Sequence, residues 1–326
     1  MRVLVAGGGG FIGGHLVKAL LEDGHTVRSV DFKPIGSWWQ VHPDAENRPD
    51  TDLMQPEACI ASTRDVDQVY NLAADMGGMG FIENNKAACM LSVLISTNML
   101  QAAVANGVER LFYASSACVY AADHQTNADV APLKESDAYP AMPEDGYGWE
   151  KLFSERMARH FMEDFGIETR VARFHNVYGP HGSWTGGREK APAALCRKIA
   201  ECAVTGSREI NVWGDGLQTR SFMLVDDCVE GSRRLMASSV RDPLNIGSSE
   251  LVSINQLIEI ISSIAGIEVE RVHDLSAPQG VRGRNSDNTL ILERLGWEPS
   301  TSLRAGLEVT YAWILDQVRA SAASAA

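Results

Sequence analysis

The sequence predicts an α/β fold, in which a doubly wound parallel sheet of the Rossmann type carries a smaller C-terminal α/β substrate region. Three observations carry this prediction. Short apolar runs alternate with segments of helical period along the first half of the chain, a glycine-rich turn follows the first run, and the alternation loosens after about Gly179. We expect one domain over residues 1–178, with returning segments near 213–246, and a second region over 179–326.

The elements follow from local patterns taken in chain order. Five β-rich runs each border a helical segment, and they read RVLVAG, HTVRSVD, QVYNLAA, RLFYASS and ETRVARF. The clearest helix is GWEKLFSERMARHFMEDFG, where Leu152, Met157 and Phe161 recur at helical spacing and Gly166 ends the pattern. In the C-terminal part we expect helices near 193–204, 252–265 and 303–318, and a short strand at INVWG.

Composition excludes several classes of partner. The 326 residues are 45% hydrophobic and 22% charged, with a formal net charge of −13, so the chain has no general attraction for phosphate backbones or anionic membranes. Only Met1 and Arg2 precede the first apolar run, and no run has the length of a membrane span, which predicts a cytoplasmic protein. The six cysteines form no C-x-x-C pair, and we predict neither a disulfide framework nor a metal site.

The stretch GGGGFIG is typical of a turn that binds a dinucleotide. Gly7, Gly10 and Gly13 let the turn take positive φ, let the backbone approach a pyrophosphate and direct a helix N-terminus at it. Asp31 ends the second run, where a carboxylate binds ribose hydroxyls and repels a 2′-phosphate, which favours NAD over NADP. A tight turn without a ligand is the alternative. Asp52 is either an adenine contact or a solvated turn residue.

The stretch DGYGWEK places Tyr147 and Lys151 four residues apart, on one face of the clearest helix. A phenol beside an ammonium and an oxidised nicotinamide has its pKa lowered from about 10, so Tyr147 is predicted to accept a proton from a sugar hydroxyl. The spacing alone also fits an exposed helix face. Ser115 and Ser116, at the end of the preceding strand, favour the catalytic interpretation.

The motifs GGGGFIG, NLAA, SSACVY and YGWEK, in this order, resemble the extended short-chain dehydrogenase/reductase family of nucleotide-sugar enzymes. The resemblance implies tightly held NAD and a triad. In this triad Ser116 binds the C4 oxygen of the sugar, Tyr147 is the base, and Lys151 orients the nicotinamide ribose. The cofactor contacts that it implies are Gly7, Gly10, Phe11, Ile12, Gly13, Asp31, Asp52, Ala73, Tyr147 and Lys151.

Four further segments, DMGGMGFI, RFHNVYGPHGSWTGGREKAPAA, WGDGLQTRSF and GVRGRNSDN, extend the resemblance from Arg2 to about Gln317. They are similar to family members that act on GDP-mannose and invert it at C3 and C5 after transient oxidation at C4. By this resemblance Cys118 is the base and Lys190 the acid, because a C4 ketone acidifies its neighbours and a thiolate near cations removes a proton. Plain packing of Cys118 is the alternative. The implied substrate contacts are Gly77, Ser116, Ala117, Cys118, Asn176, Glu189, Lys190, Ala191, Lys198, Gln218, Arg220 and Arg284.

Two other functions stay open from the sequence. A nucleotide-sugar 4-epimerase needs the triad but neither Cys118 nor Lys190. A non-catalytic NAD-binding sensor module binds the cofactor and a protein partner without turnover. The resemblance also implies a homodimer through the helical segments near Val93–Val104 and Leu152–Met162, although their apolar faces equally suit packing on the sheet.

Overall fold

The structure is a computed structural model that describes residues 1–325. Its strands are β1 (Arg2–Ala6), β2 (Thr26–Val30), β3 (Glu46–Arg48), β4 (Gln68–Asn71), β5 (Arg110–Ser116), β6 (Glu168–Phe174), β7 (Asn176–Tyr178), β8 (Glu209–Trp213), β9 (Thr219–Leu224), β10 (Leu244–Ile246), β11 (Leu251–Ser253), β12 (Glu270–Asp274) and β13 (Gly283–Arg284). Its helices are α1 (Phe11–Glu22), α2 (Pro56–Thr63), α3 (Met79–Asn84), α4 (Lys86–Ala105), α5 (Tyr147–Phe165), α6 (Ala191–Thr205), α7 (Val225–Ala237), α8 (Ile254–Ala265), α9 (Thr289–Leu295) and α10 (Leu303–Ala325).

The large sheet has seven strands in the order β10-β6-β5-β4-β1-β2-β3, and all of its neighbouring pairs are parallel. Alternate residues of β1 face opposite layers: Val3 and Val5 pack with α1 and α7, whereas Leu4 and Ala6 pack with α2, α4 and α5. Strands covered on both faces read as continuous apolar runs, as β1 does. The predicted doubly wound sheet is confirmed.

The chain returns to this sheet after the second region has begun. β10 pairs with β6, and α7 packs on α1 and β6. A separate core surrounds β9, which pairs with β7, β11 and β13 and lies under α6, α8 and α10. A further pair, β8 and β12, is parallel. The return falls within the predicted interval 213–246, and the exact domain boundaries stay a prediction.

Several helix ends predicted from the sequence coincide with helix ends in the structure. α5 begins at Tyr147 and ends at Gly166, whose left-handed φ of 76° suits glycine at this position. The predicted helices near 193–204, 252–265 and 303–318 correspond to α6, α8 and α10, and INVWG overlaps β8. Ser253 begins α8 with a reciprocal capping box to Gln256.

One expectation from the sequence is wrong. Helix α4 has the length and apolar composition of a membrane span, although no run was expected to reach it. One side of α4 packs against α2 and α5, so a helix in this place needs apolar residues whether or not it meets lipid. Its other side leaves Met90, Leu91 and Leu94 exposed.

Candidate active site

The site forms where the carboxyl end of β5 meets the first turn of α5. β5 ends at Ser116, and Cys118 lies in the single 3-10 turn that follows, where its N–H donates to Ser116 Oγ at 3.2 Å. A Cβ on Gly148 would stand 2.4 Å from the Cys118 carbonyl oxygen. Glycine therefore lets the start of α5 approach the thiol segment, which brings Tyr147 near Ser116 and Cys118.

These residues line a cavity of about 570 Å³ between the two regions of the chain. Every substrate contact predicted from the sequence lies on its wall: Gly77, Ser116, Ala117, Cys118, Asn176, Glu189, Lys190, Ala191, Lys198, Gln218, Arg220 and Arg284. Tyr147 lines the same cavity, whereas Lys151 is buried behind it. The structure brings these side chains together, and their individual roles stay predictions.

Lys151 has a buried anionic neighbour that was not predicted. Its Nζ lies 5.5 Å from the centroid of the Tyr147 ring and 3.5 Å from Glu150 Oε2. Burial raises the pKa of Tyr147 well above its usual value of 10, the charges of Cys118 and Glu150 raise it further, and a hydrogen bond with Ser116 opposes the rise. Burial is the largest cause of the raised pKa of Tyr147 in the chain. The predicted lowering depends on an oxidised nicotinamide beside the ring, and it stays a prediction.

The thiol of Cys118 faces a buried guanidinium. Arg284 donates from Nη1 to Cys118 Sγ at 3.6 Å and from Nε to Gln125 Oε1 at 2.6 Å, and it also pairs with Glu144. Arg284 was predicted as a substrate contact on the basis of its phosphate-binding chemistry. The structure places it on the cavity wall in contact with the proposed base, and its role as a substrate contact stays a prediction.

One wall of the cavity consists of two segments that lie far apart in the sequence. The Gly78 N–H donates to the Arg188 carbonyl at 3.0 Å, and Arg188 reaches Asp75 Oδ1 at 2.7 Å and lies over the Phe81 ring. Lys190 follows at the N-terminal end of α6 and is half-buried. Burial lowers the pKa of the Lys190 ammonium, and the charge of Cys118 opposes this effect.

Polar groups on another part of the wall are held by backbone carbonyls. Lys198 Nζ donates to the Asn211 carbonyl at 2.6 Å, and Arg220 donates to the carbonyl of Val281 at 2.5 Å. Gln218 donates to the Trp213 carbonyl, while its Oε1 is buried without a partner in the described part of the chain. A buried acceptor of this kind suits a donor on a bound ligand.

The glycine turn fits a pyrophosphate. Gly7 has a φ of 83°, and a Cβ on Gly13 would stand 2.1 Å from the Gly7 carbonyl oxygen, so the turn is as tight as the motif predicts. α1 begins after Gly10 without a side-chain cap, which leaves its first N–H groups to an anion. Phe11 and Ile12 form its first turn.

The other predicted cofactor residues surround this turn. Ala73 lies against Gly7, and Asp31 is buried and accepts from the Lys33 N–H through one oxygen only. Asp52 uses both carboxylate oxygens locally, accepting from the Met54 N–H and from Gln55. The turn and Asp31 therefore fit a dinucleotide, whereas the geometry of Asp52 supports the solvated-turn alternative.

A buried polar network beneath the site was not predicted. Arg173 binds Glu155 through two hydrogen bonds, and Ser115 donates to the same carboxylate at 2.5 Å. Beside this pair, His175 lines the cavity with its Nε2 lying 3.1 Å from Asn245 Oδ1, and burial lowers the pKa of His175 to about 4. The motif RFHNVYG was visible, but no local pattern shows that the histidine is buried.

Across residues 1–325, no group of three or more His, Cys, Asp or Glu side chains is arranged to hold a metal ion.

Comparison with known proteins gives consistent results. Residues 3–247 match the model of the NAD dependent epimerase/dehydratase family. The chain is 51% identical over 319 residues to GDP-mannose 3,5-epimerase 1 of Oryza sativa subsp. indica, covering 98% of this chain and 82% of that protein. It is 48% identical over 323 residues to GDP-mannose 3,5-epimerase of Arabidopsis thaliana, covering 98% and 83%. Among solved structures it resembles UDP-glucose 4-epimerase from Thermotoga maritima, with a TM-score of 0.87, 26% identity, and coverage of 98% and 100%.

Proposed function

This chain belongs to the NAD-dependent epimerase/dehydratase family, and we propose that it inverts GDP-mannose at C3 and C5 to give GDP-L-galactose, with GDP-L-gulose as the product of inversion at C5 alone. The observation that carries the proposal is that Cys118 and Lys190 line the same cavity as Ser116 and Tyr147. The identity of 51% to a GDP-mannose 3,5-epimerase supports the same substrate. A 4-epimerase needs only the Ser116 and Tyr147 part of this set.

NAD is the cofactor of this family. The turn from Gly7 to Gly13, Asp31 and Ala73 are the residues that would hold it, with Tyr147 and Lys151 at the reacting end; Asp52 stays a weaker candidate. Bound there, NAD would supply reversible acceptance of the hydride at C4 of the sugar.

The first chemical task of the chain is to remove the proton from the C4 hydroxyl. Tyr147 accepts this proton, Ser116 hydrogen-bonds the same oxygen, and the buried ammonium of Lys151 favours the phenolate. The raised pKa of Tyr147 makes the cationic charge near the ring necessary, because burial opposes ionisation.

The second task is proton exchange at the carbons beside the C4 ketone. Each C–H bond breaks with its electron pair entering the enolate, and the proton forms an S–H bond with the Cys118 thiolate. The Lys190 ammonium then gives a proton to the opposite face of the carbon. Its lowered pKa makes the transfer easier than from an ordinary lysine. The S–H then loses its proton to solvent and the Lys190 amine takes one up from solvent, so that one thiolate and one ammonium serve C5 and C3 in turn.

The nucleotide needs local cations because the chain carries a net charge of −13. Lys198 and Arg220 supply them on the cavity wall, and Asn176 and Gln218 add amide groups. Guanidinium and ammonium groups bind diphosphate oxygens strongly. The unpartnered Gln218 Oε1 accepts a hydrogen bond from the bound ligand.

The test is to incubate the purified protein with GDP-mannose and identify the products by proton NMR, with UDP-glucose in a parallel reaction. Products of galacto and gulo configuration from GDP-mannose, and none from UDP-glucose, are the expected result. Conversion of UDP-glucose at C4 alone would support the 4-epimerase, and no turnover of any nucleotide sugar would support the sensor module.

The same chain is proposed to form a homodimer in the cytoplasm. Met90, Leu91 and Leu94 of α4, with Trp149 and Phe153 of α5, are exposed on two helices that pack side by side. Two copies of this face would bury these residues in a four-helix contact. The six free buried cysteines fit a reducing compartment. Light scattering should give twice the chain mass, and Phe153→Glu should give one chain mass.

A further inference from the structure

We propose that Arg284 and Glu144 form a charge-balancing pair that sets how much of Cys118 is thiolate, so that Arg284 is a positioning residue for the proposed base. The proposal rests on the proposed role of Cys118. It assigns Arg284 a task at the sugar carbons, where it acts through the thiol, in place of the phosphate contact that its residue type suggests.

The contact between the two side chains is direct. Arg284 Nη1 lies 3.6 Å from Cys118 Sγ, within hydrogen-bond range for sulfur, although the residues are 166 positions apart in the chain. Both side chains line the cavity, and Arg284 is 4% exposed while Cys118 is 7% exposed. A guanidinium is always charged, and an opposite charge at this distance favours the ionised form of its neighbour. Lys190, Arg220 and Tyr147 also interact electrostatically with Cys118, and each is unchanged in the variants compared below.

The guanidinium is fixed in place on its remaining sides. Its Nε donates to Gln125 Oε1 at 2.6 Å, and the Gln125 amide in turn donates to the carbonyls of Tyr120 and Ala121. The Arg284 backbone pairs with Arg220 in the small sheet. Because the cation is held by Gln125 and by the pairing of its own backbone with β9, its position relative to the sulfur does not depend on a bound ligand.

Glu144 weakens this cation. Its carboxylate pairs with Arg284, and its N–H donates to the Cys118 carbonyl at 3.0 Å, so the anion is anchored to the same turn as the thiol. A carboxylate so near opposes formation of the thiolate. The pair therefore holds Cys118 between two states: the cation favours the thiolate that removes a proton, and the anion limits how strongly the thiolate is favoured, so that the sulfur still accepts the proton. Between the two inversions the S–H gives its proton to solvent, and the cation favours this return to the thiolate.

This arrangement predicts shifts of opposite sign, which a purely structural role would not produce. Removing the cation in Arg284→Gln should raise the pH midpoint of thiolate formation by about one unit or more. Arg284→Lys, which keeps a positive charge, should restore part of that shift. Removing the anion in Glu144→Gln should move the midpoint to lower pH.

The experiment follows alkylation of Cys118 by iodoacetamide against pH, in the protein with its NAD and without any sugar. Mass spectrometry of the peptide that contains Cys118 reports the rate, since only the thiolate reacts, and the other five cysteines are internal references. Arg282→Gln is the matched control. Arg282 lies two residues before Arg284 and carries the same charge, but its guanidinium pairs with Asp215. This variant should leave the midpoint unchanged.

Equal midpoints in all variants, or shifts of the same sign for Arg284→Gln and Glu144→Gln, would overturn the proposal. If Arg284→Gln fails to fold, the downward shift in Glu144→Gln tests the pair by itself. Because no sugar is present, the outcome does not depend on whether GDP-mannose is the substrate, so failure here and failure of the proposed function are distinguishable.

Discussion

Glu150 Oε2 lies 3.5 Å from Lys151 Nζ, and the two residues are 2% and 3% exposed. The carboxylate is held on its other oxygen by the hydroxyls of Tyr113 and Ser154 at 3.2 and 3.0 Å. The ammonium that favours the Tyr147 phenolate therefore has an anion bound to it, and this anion contributes to the raised pKa of Tyr147.

Glu150→Gln should lower the pKa of Tyr147, because it removes one of the charges that raise it. The base form exists above that pKa, so the acidic limit of C4 oxidation should move to lower pH by on the order of one unit. The measurement is single-turnover formation of reduced nicotinamide against pH, in a Cys118→Ser background that removes the thiol titration. Glu163→Gln, an exposed change on the same helix, is the control. An unmoved limit in Glu150→Gln would contradict the expected coupling.

Proton delivery by Lys190 should fail on the alkaline side. Burial lowers the pKa of its ammonium below the usual value of 10.5, and the donor is lost as the pH rises through that lowered pKa. Exchange of sugar protons with solvent should therefore decline before pH reaches about 10.5. Lys190→Arg keeps a cation for binding but gives up its proton poorly, so kcat should fall by about a hundredfold or more while KM changes little. A full rate in Lys190→Arg would exclude this lysine as the acid.

His175 should make the protein less stable in mild acid. Its pKa is about 4 in the folded chain and 6.5 in the unfolded chain, so the unfolded chain holds more protons between these values and stability falls as pH drops through this range. Between about pH 7.5 and about pH 5 the loss from this group is about 2 kcal/mol in the free energy of unfolding. His175→Gln keeps a donor for Asn245. Over the same pH interval its free energy of unfolding should fall by about 2 kcal/mol less than that of the parent protein. Urea unfolding at both pH values measures the difference, and parallel losses in the two proteins would rule out the effect.

Much of the fold and part of the site follow from local sequence patterns. The glycine turn, the start of α5 at Tyr147 and its end at Gly166 depend on residues within one or two helical turns, and the structure has each where the pattern predicts it. The wall residues of the cavity are scattered along the chain, but they lie in short segments that are specific enough to align with a known family. That alignment predicted that they share one site.

The electrostatics of the site does not follow from such patterns. His175 meets Asn245 across 70 residues, and Arg284 meets Cys118 across 166, so neither contact leaves a signal in the local sequence. Glu150 adjoins Lys151 in the sequence, yet its effect on Tyr147 depends on burial by β5, which spacing does not reveal. The rise that burial causes in the pKa of Tyr147 was not predicted for this reason.

The most direct test of the central claim is deuterium exchange by Cys118→Ser in heavy water with GDP-mannose. The parent protein should place deuterium at C3 and C5, and the variant should still oxidise C4 while its exchange falls by about a hundredfold or more, because serine does not form the anion that removes the proton. Mass spectrometry and proton NMR of the sugar give both quantities from one sample. Equal exchange in the variant and the parent would remove Cys118 from the mechanism and leave it as ordinary packing beside Tyr147.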